Sequence, residues 1–280
     1  MTSGPARRKV VVAVAPNGGR KTKADCPGLP ITPEELARTA AECLDQGASM
    51  LHLHVRDSEG VHLLDAEAYR VATDRIRAAV GDRLVVQITT ESMGRYSRGR
   101  QMGVVLEAGP EAASFAFREL APDEQDEPLF SNFLQRLKWR RIWPQIILYA
   151  PEEAQRLAAM QKKGLIPFDE VAVLYVLGRS SLLRRAAPSD LLPFLAPEMP
   201  RFASWSVCAF GRREAACVVA GALLGGHIRV GFENNVSLPG GGQAATNADL
   251  VGAVARALDD LGLATQDAQG LREEIAALMR

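Results

Sequence analysis

Two histidines separated by one residue, His52 and His54, are the side chains whose types and spacing most directly suggest chemistry in this 280-residue chain. They lie in the apolar run Met50–Val55, which has the composition of a β-strand. Because successive side chains of a strand point to opposite faces, the two imidazoles share one face and can bind a single metal ion. The alternative is a pair of core histidines, but two adjacent buried imidazoles are difficult to satisfy with backbone hydrogen bonds alone. The pattern therefore favours a metal site.

The composition is that of a soluble globular protein, with 47% hydrophobic and 24% charged residues. The 33 basic and 33 acidic residues cancel, so neither nucleic acid nor an anionic membrane surface is a predicted partner. The N-terminus lacks a signal-peptide pattern, and no apolar run is long enough to span a bilayer. Four cysteines without CxxC spacing indicate reduced thiols in a cytoplasmic protein: Cys26, Cys43, Cys208 and Cys217.

The elements that would position a metal site alternate strand and helix along the whole chain. The predicted strands are Lys9–Ala15, Met50–Val55, Leu84–Thr90, Ala112–Phe117, Ile142–Tyr149, Glu170–Leu177, Phe202–Phe210 and His227–Phe232. Each is followed by a helical pattern, and the first helix begins with a capping box at Thr32 and Glu35. Such units predict a single (β/α)8 TIM barrel over residues 1–280, with an added C-terminal helix at Leu271–Met279. An open doubly wound sheet would instead need a GxGxxG motif after the first strand, which Ala15–Gly19 does not supply.

In a barrel of this kind, the active site lies at the C-terminal ends of the strands. Polar side chains at those ends include Asn17 and Arg20 in the first unit, Thr89, Thr90 and Glu91 in the third, Ser114 in the fourth, and Arg229 and Glu233 in the eighth. On the eighth strand, alternation places Arg229, Gly231 and Glu233 on one face. Only the first strand separates this strand from the second, so Glu233 can approach His52 and His54. Two histidines and a carboxylate form the ligand set of a catalytic zinc, although an ion pair of Glu233 with Arg229 or Arg56 is an open alternative.

These residues resemble the β-keto acid cleavage enzymes. The HxHxR segment His52–Arg56 and the GGHxRxGxE segment Gly225–Glu233 are specific together at this separation. The other matching segments are Thr22–Asp25, Leu29–Glu35, Gly47–Ala48, Gln87–Thr90, Val176–Gly178, Trp205 and Gly211–Arg212. The resemblance implies a zinc-containing (β/α)8 barrel that condenses a β-keto acid with acetyl-CoA, giving acetoacetate and a new acyl-CoA. It also implies a homotetramer whose partners are these small molecules.

The resemblance further implies a role for each matched position. His52, His54 and Glu233 would hold Zn²⁺ or another divalent first-row metal, and the metal would stabilise an enolate. Arg229 would stabilise developing oxyanion charge. Thr89 stands where the type member has a serine that contacts substrate. The predicted substrate-binding residues are Asn17, Arg20, Thr90, Glu91 and Ser114.

Three departures from the type member concern four positions. Asn234 replaces an aspartate proposed there as the general base, and an amide cannot take a proton near neutral pH. Arg20 replaces a glutamate that contacts the amino group of the type substrate, which predicts a β-keto acid with a neutral or anionic distal group. Glu91 and Ser92 replace two glycines, and Glu91 could pair with Arg20 or restore a negative site. Asn234 leaves two alternatives open, a metal-dependent aldolase or hydrolase without coenzyme A and a catalytically silent barrel that binds a keto acid.

Three further segments have simpler interpretations. His62 follows a loop signal at Ser58–Gly60 and is predicted to be solvent-exposed. His227 begins the eighth strand, so it is predicted to be structural and remote from the chemistry. The basic run Arg179–Arg185 could bind the phosphates of coenzyme A or form a solvated loop.

Overall fold

Eight parallel strands close into a barrel in the computed structural model, which describes residues 7–178 and 186–279. Numbered along the chain, they are β1 Val12–Val14, β2 Met50–Leu53, β3 Val85–Thr89, β4 Ala112–Ala116, β5 Trp143–Leu148, β6 Ala172–Leu177, β7 Ser204–Ala209 and β8 His227–Val230. Each strand pairs with the next one in the chain, and β8 closes the barrel on β1. The predicted (β/α)8 barrel is confirmed, because an open sheet would leave two unpaired edges.

The helices surround this barrel. They are α1 Pro33–Asp45, α2 Ala66–Val80, α3 Arg98–Ala108, α4 Glu127–Arg140, α5 Pro151–Lys162, α6 Leu192–Leu195, α7 Glu214–Leu223, α8 Asn247–Asp260 and α9 Ala268–Leu278. A further one-turn helix, Phe117–Leu120, and two 3-10 turns, Glu124–Asp126 and Pro188–Leu191, lie in the connections. None of the helices in the described part of the chain has the length and apolar character needed to cross a membrane.

Local sequence signals set the ends of the first two helices. Thr32 caps α1 by accepting a hydrogen bond from the backbone N–H of Glu35 at 3.2 Å, and the Glu35 carboxylate accepts the N–H of Thr32 at 3.1 Å. This capping box confirms the predicted start of α1. Helix α2 begins after its N-cap Asp65 and ends before Gly81.

The C-terminal helix closes the lower end of the barrel. Inside the barrel, small and apolar side chains from six strands pack against Ala268, Leu271 and Leu278 of α9; the strand residues are Ala13, Met50, Val85, Ala112, Trp143 and Ala172. Above this layer the interior becomes polar, since Gln87 donates a hydrogen bond to Gln145, which in turn bonds to Ser206. In the described part of the chain, this packing closes one end of the barrel and leaves the C-terminal ends of the strands as its open end.

The strands are shorter than predicted, and one difference changes a functional interpretation. Strand β2 ends at Leu53, and Val55–Arg56 pairs in antiparallel fashion with His62–Leu63 as a hairpin beyond the barrel. This hairpin folds the ring of His62 against that of His54, with 5.4 Å between the ring centroids, and leaves His62 only 2% exposed. The prediction of an exposed His62 is therefore wrong, because the long-range packing of the hairpin determines its burial. The predicted coenzyme A contact at 179–185 lies outside the described residues.

Candidate metal centre and active site

Three ligand atoms converge at the open end of the barrel. Nε2 of His52 and Nε2 of His54 lie 3.4 Å and 3.2 Å from the same Oε2 atom of Glu233. Among the described residues, these three side chains form the cluster whose ligand atoms all lie within 4.8 Å of one another. Nε2 of His54 and Oε2 of Glu233 are buried and make no hydrogen bond. Buried polar atoms of this kind need a partner, and a divalent cation among them would supply one.

The protonation preferences of the cluster suit metal binding. Burial, together with the nearby Arg229 charge, lowers the pKa of His52 to about 3, which keeps the imidazole neutral. Burial alone would raise the pKa of Glu233, but Arg229, His52 and His54 hold it well below its ordinary value. A neutral imidazole at His52 and an ionised carboxylate at Glu233 are the forms of these two groups that bind a metal.

A side-chain amide orients His52. Nδ1 of His52 lies 2.9 Å from Oε1 of Gln87 on the neighbouring strand β3, and 3.3 Å from Oγ of Ser114 on β4. An amide oxygen can only accept, so Nδ1 bears the proton and the Nε2 lone pair is left for a ligand. Gln87 is itself held by Gln145, at 3.2 Å across the barrel.

Replacing Gln87 with methionine should therefore weaken metal binding about 10- to 100-fold while the barrel remains folded. Methionine preserves the length of the side chain but cannot accept the proton of Nδ1. Competition against a chromogenic chelator measures the affinity. Gln145→Met is the matched control, because Gln145 is one hydrogen bond further from the histidine and should have a smaller effect. An unchanged affinity in Gln87→Met would show that Ser114 alone orients His52.

Glu233 reaches the histidines from a turn rather than from a strand. Strand β8 ends at Val230, and Gly231 has φ +137°, so the predicted alternation of Arg229, Gly231 and Glu233 along one strand is wrong. A Cβ at position 231 would lie 2.4 Å from the backbone oxygen of Ala15, which only glycine avoids. The backbone N–H groups of Asn234 and Asn235 both donate to the oxygen of Gly231 and complete the turn.

Two buried side chains hold this turn. Glu214 at the start of α7 accepts hydrogen bonds from the N–H of Gly231 and the amide of Asn235, both at 3.2 Å. Asn247 at the start of α8 accepts the N–H of Phe232 at 2.9 Å and donates to the oxygen of Pro16 at 3.0 Å. The carboxylate of Glu233 is thus positioned by α7, by α8 and by the segment after β1.

Arg229 presents unused donors to the site. It is 3% exposed, and its Nη2 lies 3.1 Å from Oε1 of Glu233 and 3.3 Å from Sγ of Cys208. Its Nε and Nη1 are buried without a hydrogen-bond partner. Burial alone would lower the pKa of Arg229, but Cys208 and Glu233 raise it, so the guanidinium stays charged. A buried cation with two unmet donors is suited to an anionic substrate group. The expected ion pair of Arg229 with Glu233 therefore exists through Oε1, while Oε2 of Glu233 faces the two histidines.

The loop after β1 is fixed against the cluster by Arg56. The Arg56 guanidinium donates to the backbone oxygens of Gly18, Lys21 and Gly60 at 2.6–3.0 Å. Gly18, with φ +60°, lies against Glu233, and a Cβ there would be 2.7 Å from Cγ of Glu233. Arg56 therefore organises the loop and makes no ion pair with Glu233 among the described contacts.

Most predicted site residues lie around two adjoining clefts that share Glu91 and Glu233. The first cleft is lined by Asn17, Gly18, Gly19, Arg20, Lys21 and Phe210 in addition to these two, and the second by His52, His54, Thr89, Ala116, Glu119, Ile147, Tyr149 and Arg229.

Ser114 lies behind His52, while Thr90 is buried and its hydroxyl has no partner. Asn234 is buried beside Cys208, with its Oδ1 unpartnered, and lines neither cleft. His227 lies apart from both, where Nδ1 accepts the N–H of Val11 and Nε2 bonds to Glu274.

Sequence reasoning missed several contributors. Gln87 is an amide inside an apolar strand and two residues before Thr89, so strand alternation could have identified it. Glu119 and Tyr149 follow the ends of β4 and β5, where the same search of strand ends applies. Lys21, whose Nζ donates to the backbone oxygen of Glu233 at 2.8 Å, gives no signal in the sequence.

Comparison with known proteins agrees with this geometry. A family model described as beta-keto acid cleavage enzyme matches residues 9–276. The 3-keto-5-aminohexanoate cleavage enzyme of Acetoanaerobium sticklandii is 31% identical over 261 residues, which cover 91% of this chain and 93% of the relative. The 3-oxoadipate:acetyl-CoA acetyltransferase of Cupriavidus necator is 28% identical over 261 residues, which cover 90% of this chain and 89% of the relative. A solved ternary complex of ObcA with a C4-CoA adduct and oxalate shares the fold, with a TM-score of 0.70, 17% identity, and coverage of 89% of this chain and 68% of that one.

Proposed function

The chain belongs to the β-keto acid cleavage enzyme family, and from this membership we propose that it condenses a β-keto acid with acetyl-CoA to give acetoacetate and a new acyl-CoA. The observation that carries the proposal is the triad of His52, His54 and Glu233 beside the unmet donors of Arg229. This arrangement binds a metal and an anionic group side by side, as a β-keto carboxylate requires. Relatives named as acetyl-CoA-dependent transferases support the co-substrate.

The metal proposed for the triad is Zn²⁺, held by His52, His54 and Glu233. Imidazole and carboxylate ligands suit several first-row divalent ions, and availability favours zinc. The chemistry that a bound metal supplies is Lewis acidity, which favours enolisation of a β-keto acid.

The chain's own residues bind and orient the substrate. The free donors of Arg229 would bind the carboxylate or the oxyanion that develops during carbon–carbon bond formation, without reorganisation of the site. Thr89 lines the same cleft as the histidines, and its hydroxyl accepts the N–H of Glu91 at 3.3 Å while still able to donate. Asn17, which donates to the backbone oxygen of His54 at 3.1 Å, would keep that ligand in place.

Incubating the purified protein with a panel of β-keto acids and acetyl-CoA, and assaying acetoacetate, tests the proposal. We expect acetoacetate from at least one acid, and none when acetyl-CoA is omitted. Product without acetyl-CoA would instead indicate an aldolase or hydrolase. Tight binding of keto acids with no turnover across a broad panel would indicate a catalytically silent barrel. The implied homotetramer is a separate prediction, to be read from the mass in solution.

The same panel tests the distal group of the substrate. Arg20 lies in the first cleft with Lys21, and its side chain is 51% exposed, so solvent screens its charge. We propose that these cations favour a neutral or anionic distal group, with kcat/KM for 3-oxoadipate at least about fivefold above that for 3-keto-5-aminohexanoate. Glu91 lies 3.7 Å from Arg20 and opposes this preference. A higher kcat/KM for the amine would show that Glu91 and Glu119 determine the sign of the charge that the distal group meets in the pocket.

A further inference from the structure

The condensation proposed above needs a base for the C2 proton of the β-keto acid, and the structure contains one carboxylate well placed for that role. We propose that Glu91 is this catalytic base. The inference rests on the proposed function and adds a residue role to it. Glu91 follows β3 at the open end of the barrel, and its side chain is 12% exposed.

The location of Glu91 supports the assignment. Glu91 and Glu233 both line each of the two clefts. Oε2 of Glu91 lies 4.0 Å from Nδ1 of His54, on the side of that ring away from Glu233. A substrate held by Arg229 and the metal triad would therefore have Glu91 beside it in either cleft. A base must lie within reach of the proton that it removes, and a carboxylate that lines both clefts is placed to meet this requirement.

The other groups around the described clefts are less suited to the role. His52, His54 and Glu233 would be occupied by the metal. Glu119 accepts the backbone N–H of Ser92 at 3.0 Å and helps to shape the loop after β3. Cys208 is a further candidate, but burial raises the pKa of its thiol to about 11. Asn234 has an amide, which has no proton-accepting role near neutral pH.

The proton balance of the reaction requires a single such group. Glu91 takes one proton from C2, and the electron pair of the C–H bond forms the enolate. The enolate carbon bonds to the acetyl carbon of acetyl-CoA and expels coenzyme A as a thiolate. The thiolate then attacks the original keto carbon, the old C2–C3 bond breaks, and the new acyl-CoA leaves with acetoacetate as its enolate. Protonated Glu91 returns its proton to that enolate, so no other proton donor is needed.

The exchange of the C2 protons for deuterium in D2O isolates the first step when acetyl-CoA is omitted. Proton NMR measures the rate of this exchange. A β-keto acid that the wild type turns over is the probe, and the spontaneous exchange rate is subtracted. Glu91→Gln should lower the enzyme-dependent exchange rate at least about 100-fold, which is the lower range for general base catalysis. Its metal content and its affinity for the acid should stay near those of the wild type. Glu91→Ala should regain exchange when formate is added, because formate can replace the missing carboxylate.

Glu59→Gln is the matched control, because it removes an exposed carboxylate that lines neither cleft. It should lower the exchange rate less than about tenfold. Exchange in Glu91→Gln within tenfold of wild type, or an equal loss in Glu59→Gln, would overturn the assignment. Such a result in an enzyme that still forms acetoacetate would leave the proposed function standing. A wild type with neither exchange nor acetoacetate would refute the function itself.

Discussion

Replacing His54 with alanine should reduce bound metal from one ion per chain to a trace and abolish acetoacetate formation. Nε2 of His54 is one of three ligand atoms that surround the same point, and the remaining histidine and carboxylate leave too few protein ligands for a stable site. The barrel should stay folded, because the triad lies at its open end and the apolar layers below do not involve it. Elemental analysis of protein purified without chelators measures the metal, and circular dichroism checks the fold.

His62→Gln is a suitable control for this variant. His62 is a buried histidine whose ring lies 5.4 Å from that of His54, yet it is not a member of the metal cluster. It should retain stoichiometric metal. If wild-type protein purified in this way contains no stoichiometric metal, or if His54→Ala keeps it, the proposed metal centre is wrong.

Replacing Arg229 with lysine should lower kcat about 100- to 1,000-fold with the metal retained. Lysine preserves the positive charge that keeps the Glu233 carboxylate ionised, but it loses the planar fork whose Nε and Nη1 face the site. Removal of one fixed donor to a developing oxyanion typically has an effect of this size. Steady-state kinetics at saturating substrate give kcat, and metal analysis is made on the same sample.

Arg229→Met separates charge from geometry. Without any cation at this position the pKa of Glu233 should rise, because Arg229 is the main charge that lowers it. Protons then compete with the metal, so metal affinity should fall in Arg229→Met more than in Arg229→Lys, and most strongly at acidic pH. Equal kcat in wild type and Arg229→Lys would show that the guanidinium has no specific part in the chemistry.

Features that depend on neighbours in the chain could be predicted from the sequence alone. The start of helix α1 is one of them, because the capping box of Thr32 and Glu35 is a local signal. The eight strand–helix units, and with them the barrel, follow from repeated apolar runs separated by helical patterns. His52 and His54 were paired correctly because residues two apart on a strand share a face. Strand ends differed by up to three residues, since pairing partners set where a strand stops.

Other features depend on contacts between residues that are distant in sequence. His62 is buried because a hairpin folds it onto His54, and no periodicity of its own segment indicates this. Glu233 meets the histidines from a turn that Glu214, Asn247 and the close approach of Ala15 to Gly231 shape together. The Gln87 bond to His52 and the position of Glu91 between two clefts likewise arise only when the strands close. Strand patterns report which side chains point inward, but closure of the barrel determines which of them touch and in what geometry.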